Sequence, residues 1–241
     1  MLQACLNGAR TPREHHHLPV RPEHLANAAA DSRAAGATEI HLHPKTPDGT
    51  DSLDPHLLAS TLRAVRAAVP DTPIGVTTGA WVVPGVDERL AAIRAWNILP
   101  DHASINWHEP GADRIAELLR ERGIGVEAGI FSGTDAAERF ERFERSPMRA
   151  HVQRVLAEVT DPTARGAPTT ADALLRGLGT TPAPVLLHGE SAGAWPVLKL
   201  AVQGGLDTRI GLEDTLQLPD GTVASDNAEL VTAAERLRHS A

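Results

Sequence analysis

Cysteine is almost absent: Cys5, inside LQACL, is the single thiol in 241 residues. No intrachain disulfide and no thiolate metal cluster can form, which fits a reducing compartment. Long hydrophobic runs are lacking as well. No stretch approaches the roughly 20 apolar residues of a membrane helix, and MLQACLNGAR is too short to be a signal peptide. There is no basic stripe, and 23 Lys+Arg against 31 Asp+Glu leave a formal net charge of −8. That balance argues against general affinity for nucleic acid or anionic membrane surfaces. Low-complexity tracts and an interdomain linker are missing too. The expectation is a cytoplasmic protein with one domain over residues 1–241, and a 41% hydrophobic content at this length is enough for one large core.

What is present is an alternation. Short apolar, β-branched runs (LQACLN, ATEIHLH, PIGVTT, HASINW, GIGVEAG, AHVQRVL, PVLLHG and TRIGLED) read as strands. Between them lie HLANAAADSRAAG after Pro22, DPHLLASTLRAVRAAVP, VDERLAAIRAWN, GADRIAELLRERG, DAAERFERFER, TTADALLRGLG, WPVLKLAVQGG and a terminal DNAELVTAAERLRHS, all with helical periodicity. Single helices between strands imply parallel pairing, because parallel neighbours need a crossover of this length. Eight such units favour an α/β fold closed as a TIM (β/α)₈ barrel, with an open doubly wound sheet as the alternative. Phe140 and Phe143 in AERFERFER fit core packing. The histidines at 15–17 fall in the first strand-to-helix loop, and TDPTARGAPTTAD reads as another loop on the same face.

The stretch HLHPKTPDG carries the chemical signal. Residues two apart on a strand share a face, so His41 and His43 project together at a strand's carboxyl end, into the mouth of a barrel. Two imidazoles there can share a zinc ion, which in catalytic sites takes three protein ligands and keeps one position open. The third ligand is sought in IGLED, where Glu213 and Asp214 end the last strand, close to the first two. Arg209, four residues before Glu213, shares its strand-face parity. The plain alternatives are a half-exposed histidine pair and a strand with a solvated acidic end.

NGAR, LPVRPEHLANAAADSRAAGATEIHLHPKTPDGTDSL, VTTG, ASIN, GVEAGIFS, RIGLED and SDNAELV occur in order at successive strand ends. In this order they resemble the β-keto acid cleavage enzyme family, over almost the full length and more weakly between about residues 140 and 190. The resemblance implies a zinc-bearing TIM barrel that condenses a β-keto acid with acetyl-CoA to give acetoacetate and an acyl-CoA. It further implies a transferase that forms homo-oligomers. It places the metal ligands at His41, His43 and Glu213, a general base at Asp214 and its charge partner at Arg209. Thr77, Ser104, Asn106 and Glu127 match substrate-binding positions. His188 reads as a histidine behind the site rather than a ligand, and Glu158 has no assigned role.

Departures bear on the substrate. Arg10 stands where the relative acting on an aminohexanoate has a glutamate, which fits a tail carboxylate better than an ammonium; its alternative is a local pair with Glu14. The glycine-rich end of the family's sixth strand is replaced by VQRVLAEVTDPTARG, which bears on the CoA site. Two other functions use the same residues: a CoA-independent zinc hydrolase or aldolase-like lyase, and a binding barrel without catalysis. Retention of Arg209 and Asp214 argues against the latter.

Overall fold

In the computed structural model, which describes residues 1–146 and 152–240, the apolar runs form eight parallel strands. They are β1 (Leu2–Cys5), β2 (Glu39–Leu42), β3 (Ile74–Thr77), β4 (His102–Asn106), β5 (Gly125–Phe131), β6 (Arg154–Val159), β7 (Val185–Gly189) and β8 (Thr208–Ile210). The crossovers are α1 (Pro22–Ala34), α2 (Pro55–Ala68), α3 (Val86–Arg94), α4 (Ala112–Glu121), α5 (Ala136–Glu144), α6 (Ala167–Leu178) and α7 (Ala194–Gln203), and α8 (Asn227–His239) follows β8. Local chemistry sets several starts. Pro22 and Pro55 occupy first turns, where a missing N–H costs nothing. The Asp54 carboxylate accepts the N–H groups of His56 and Leu57, and that of Asp226 accepts the N–H of Glu229.

The strands pair in the order β7-β6-β5-β4-β3-β2-β1-β8. The ends of that row meet, because Leu186 on β7 bridges Asp207 and the Leu187 N–H donates to the Asp207 carbonyl at 2.9 Å. This closes the expected TIM barrel. No helix among the described residues is long and apolar enough to cross a membrane.

Strand alternation sorts the side chains into two environments. Leu2, Ile40, Leu42, Ile74, Val76, Ile105 and Val126 are buried in the apolar core cluster, which includes helix residues such as Leu25, Leu58 and Ile115. Phe140 and Phe143 join it edge-on against Trp107, as core residues. The alternate set is polar and meets across the barrel. Gln3 on β1 donates to Glu127 on β5 at 3.1 Å. Arg154 on β6 donates to both carboxylate oxygens of Glu39 on β2, at 2.8 and 2.9 Å, and to Glu127 at 3.0 Å. In a ring of eight, β1 faces β5 and β2 faces β6, so these bonds run through the interior and form its floor. His102 lies beside them, 3.7 Å from Glu127. Its ring fits because residue 75 is glycine: a Cβ there would sit 2.3 Å from His102 Nε2.

Two boundaries differ from expectation. The sixth strand starts at Arg154 and runs to Val159, whereas AHVQRVL begins at residues outside those described. Glu158 therefore belongs to the strand's carboxyl end. The eighth strand stops at Ile210 rather than continuing through Asp214. Gly211 lies so close to Cys5 that a Cβ would come within 1.9 Å of its carbonyl oxygen, and the chain turns there, with the Asp214 N–H donating to the Gly211 carbonyl at 3.0 Å. Strand parity therefore does not set the directions of Glu213 and Asp214.

Replacing Arg154 with methionine would leave Glu39 and Glu127 facing each other without their shared cation. Removing one partner of a buried ion pair costs about 3 to 5 kcal/mol, and urea unfolding of Arg154→Met should show a loss of that order. A loss below about 1 kcal/mol, the scale of an exposed pair, would mean that the floor is not held by this network.

Candidate active site

A cavity of about 440 Å³ opens at the carboxyl ends of the strands. Nine of the ten residues singled out by sequence line it: Arg10, His41, His43, Thr77, Ser104, Asn106, Arg209, Glu213 and Asp214. Glu127 does not. It lies in the floor, fully buried and bound to Gln3 and Arg154, out of a substrate's reach in this arrangement.

The two histidines leave β2 on one face, as strand period requires, and the turn after β8 brings Glu213 against them. Glu213 Oε2 is 4.0 Å from His41 Nε2 and 3.9 Å from His43 Nε2. Tetrahedral ligands about 2.1 Å from one ion stand roughly 3.4 Å apart, and these three atoms, all within 4.8 Å of one another, are set slightly wider around a common point. Oε2 is buried without a hydrogen-bond partner, as expected of a ligand atom. Burial pushes the His41 imidazole down to about 4 against the pull of Glu213, which keeps it neutral and able to ligate. His43 is oriented from behind, since its Nδ1 meets Asp51 Oδ2 at 3.0 Å. Asp51 is fixed by Lys45 and by the indole N–H of Trp81, which donates at 2.9 Å. Trp81 also stacks on the His43 ring. A second group with ligand-like spacing, Glu39, His102 and Glu127, already encloses the Arg154 guanidinium. It carries no metal assignment.

Arg209 organises the opposite rim of the ligand set. Its Nη2 donates to Glu213 Oε1 at 3.0 Å and lies 2.9 Å from Asp214 Oδ1 as an ion pair, and its Nε donates to Asp214 Oδ1 and His188 Nδ1, both at 3.1 Å. Burial alone would raise the Glu213 carboxyl, but Arg209 and then His41 outweigh it and hold Glu213 ionised. For Asp214 burial wins: its carboxyl is raised despite Arg209, with Glu213 adding repulsion. Asp214 Oδ2 is buried and unpartnered. His188, which burial keeps neutral, stands behind Arg209, with Glu158 3.6 Å from its Nε2.

The remaining residues supply shape and hydrogen bonds. Thr77 Oγ1 accepts the Gly79 N–H at 3.1 Å, and Asn106 donates to Glu109 at 2.9 Å, a carboxylate paired with Arg89. Arg10 donates from Nε to the Glu213 carbonyl at 3.2 Å and pairs with Glu14 at 3.0 Å. Ser191, after β7, has φ of 54°, the one positive φ outside glycine among the described residues, and its N–H donates to the Asp214 carbonyl at 2.7 Å. That bond ties two loops of the mouth together. Asp51, Trp81 and Glu190 went unassigned in sequence. Asp51 stands eight residues after His43, across a loop whose closure no periodicity announces.

A family model described as beta-keto acid cleavage enzyme matches residues 1–241. The 3-keto-5-aminohexanoate cleavage enzyme of Fusobacterium nucleatum subsp. nucleatum is 29% identical over 255 residues, covering 98% of this chain and 90% of that protein. The 3,5-dioxohexanoate:acetyl-CoA acetone transferase of Paraburkholderia graminis is 26% identical over 261 residues, covering 92% of this chain and 83% of that protein. Among solved structures, ObcA bound to oxaloacetate is similar with a TM-score of 0.69 at 17% identity. The match covers 91% of this chain and 63% of ObcA, and at that identity it speaks to the fold.

If Asp51 orients a metal-binding imidazole, Asp51→Ala should weaken divalent-metal affinity by about 10 to 100-fold, the usual cost of losing such a partner. Titration of the metal-free protein with zinc, followed by elemental analysis, measures this. Unchanged affinity would remove Asp51 from the site.

Proposed function

Because the chain belongs to the beta-keto acid cleavage enzyme family, we propose that it condenses a β-keto acid with acetyl-CoA to give acetoacetate and a new acyl-CoA. His41, His43 and Glu213 would hold one divalent metal, zinc by preference. The observation carrying this reading is the convergence of those three ligand atoms and the Arg209–Asp214 pair on one cavity. The name of the acetone transferase relative supports acetyl-CoA as co-substrate.

When bound, the metal supplies Lewis acidity to the substrate ketone. The chain's own groups do the rest. Asp214 presents Oδ2 without a partner while Oδ1 is held by the Nε–H of Arg209 and by the charge of its Nη2 at 2.9 Å. This fixes the carboxylate as a base aimed into the cavity. It takes a proton from the carbon between the ketone and the carboxylate, and the C–H electron pair is left to attack the thioester. Burial strengthens it for this task, since a raised carboxyl is a better proton acceptor. The hydroxyls of Thr77 and Ser104 line the same wall and offer hydrogen bonds to the substrate carboxylate or to a developing oxyanion. Asn106 contributes beside them with one N–H already spent on Glu109.

Arg10 at the rim would read the far end of the β-keto acid. Its charge is shared with Glu14, so a substrate carboxylate binds in competition with that pair. A charge-assisted contact of about 1.5 to 3 kcal/mol gives about a tenfold to hundredfold preference in kcat/KM for a carboxylate tail over a neutral one. Arg10→Ala should erase it. An unchanged ratio would reduce Arg10 to a partner of Glu14.

Asp214→Asn should keep its metal, because Asp214 is not among the ligand atoms, yet turn over about 10² to 10⁴ times more slowly. The base works only when ionised, so wild-type turnover should decline as pH falls through the raised Asp214 range, and the asparagine variant should lose that acid limb. Metal analysis together with acyl-CoA formation across pH checks both. Near-normal turnover in the metal-loaded variant would reject the base.

A further inference from the structure

The acyl-exchange reading leaves one part-buried acid of the cavity without a task. Of the carboxylates lining it, Glu213 and Asp214 pair with Arg209, and Glu14 pairs with Arg10. Glu190 sits on the turn after β7, part-exposed. Glu158 ends β6, between the apolar linings of Leu156 and Phe131, and meets only the His188 ring at 3.6 Å among the ion-pair contacts of the described residues. That ring is no counter-ion. An arginine Nε–H can only donate, so the bond from Arg209 makes His188 Nδ1 an acceptor and puts the proton of the neutral imidazole on Nε2, facing Glu158. His188 Nε2 has no other partner. The nearby guanidinium of Arg209 already engages two carboxylates and this imidazole through Nε and Nη2. An ionised Glu158 would thus be a largely desolvated charge answered only by a guanidinium already shared with two other carboxylates, and a protonated one would need no such answer.

Its position is as specific as its charge state. His41 and His43 extend from β2, and in the closed ring β6 stands diametrically opposite. A β-keto acid held at the histidine end leaves the β6 wall to the thioester. Resting on the acyl-exchange reading above, we propose that Glu158 is a further catalytic residue, a neutral carboxylic acid that protonates the thiolate leaving the thioester and recovers that proton when the thiol re-enters. In the first half the C–S bond breaks, its electron pair goes to sulfur, and the Glu158 proton follows to give a neutral thiol and a carboxylate. In the second half the carboxylate removes the thiol proton as sulfur adds to the other ketone of the joined diketo acid. The two halves return Glu158 to its starting form. Burial lifts its carboxyl to about 8 against the pull of Arg209, close to the roughly 8.5 of an alkyl thiol. Matched acids exchange protons efficiently in both directions.

The test uses the metal-loaded protein, labelled with ¹³C at the glutamate side-chain carboxyls. Glu158→Gln should erase one resonance that titrates near the raised value; if the erased resonance titrates near the ordinary value of about 4.3, the proposal fails. Kinetically, wild-type turnover with acetyl-CoA should fall as pH rises through about 8, the value to which Glu158 is lifted. Glu158→Gln should be about 100-fold slower at neutral pH and lose that alkaline limb, while Glu158→Asp, still an acid, should retain it. A glutamine variant that keeps the limb, whether fast or uniformly slowed, makes Glu158 structural and leaves acyl exchange standing. Cleavage of β-keto acids by the wild type with no thioester present would instead overturn acyl exchange, and this proton transfer with it.

Discussion

One buried cation fixes the polar arrangement at the mouth of this barrel. Arg209, 6% exposed, meets two carboxylates and an imidazole with Nε and Nη2. Each of those carboxylates alone would lose several kcal/mol on leaving water, and the planar guanidinium fork can answer all of them at once in a way an ammonium cannot. The consequences differ from partner to partner. Glu213 is held ionised with Oε2 turned toward the histidines, Asp214 keeps Oδ2 free, and His188 is locked in one tautomer. The settings of Glu213, Asp214 and His188 thus share one origin.

The same device recurs one level down with a different purpose. Arg154 joins β6 to β2 and β5 through Glu39 and Glu127, and Gln3 joins β1 to β5. These bonds cross the barrel where an apolar plug would otherwise fill it, and they leave the floor without room for a ligand. Strand register links the two tiers, for Gln3 pairs with Glu39 on one side and with Arg209 on the other. The polar interior is therefore continuous from floor to mouth, and what separates structure from site is whether each charge already has its partner.

This distinction explains what could be read from sequence. Strand and helix periods are local, so the eight units and the shared face of His41 and His43 were legible in it, and eight units in one chain pointed to closure. Glu127 was misplaced because its partner, Arg154, lies 27 residues away at the foot of the next strand, and period alone gives a strand's face but not the depth at which a residue sits. Glu213 and Asp214 come together with Arg209 as expected, yet by a turn and not by strand parity, since close contact between Gly211 and Cys5 ends β8 early. Asp51, Trp81 and Glu158 carry no pattern in one dimension. Their place follows from loop closure and from the exact end of β6.

The cavity that results is unequally firm. At its histidine end His43 is held by Asp51, Asp51 by Lys45 and Trp81, and Trp81 in turn stacks on His43, a closed set of contacts. At the rim, Arg10 and Glu14 form a pair with side chains 22% and 42% exposed, the kind of contact worth at most about 1 kcal/mol. A substrate can exchange such a partner at little cost, whereas it cannot reshape the histidine pole. Under the proposed acyl exchange, the end common to all β-keto acids would therefore meet fixed geometry, and the end that differs among them a replaceable ion pair. On that reading, selectivity would change by substitution at the first strand's loop without disturbing the histidine pole or the Arg209–Asp214 pair.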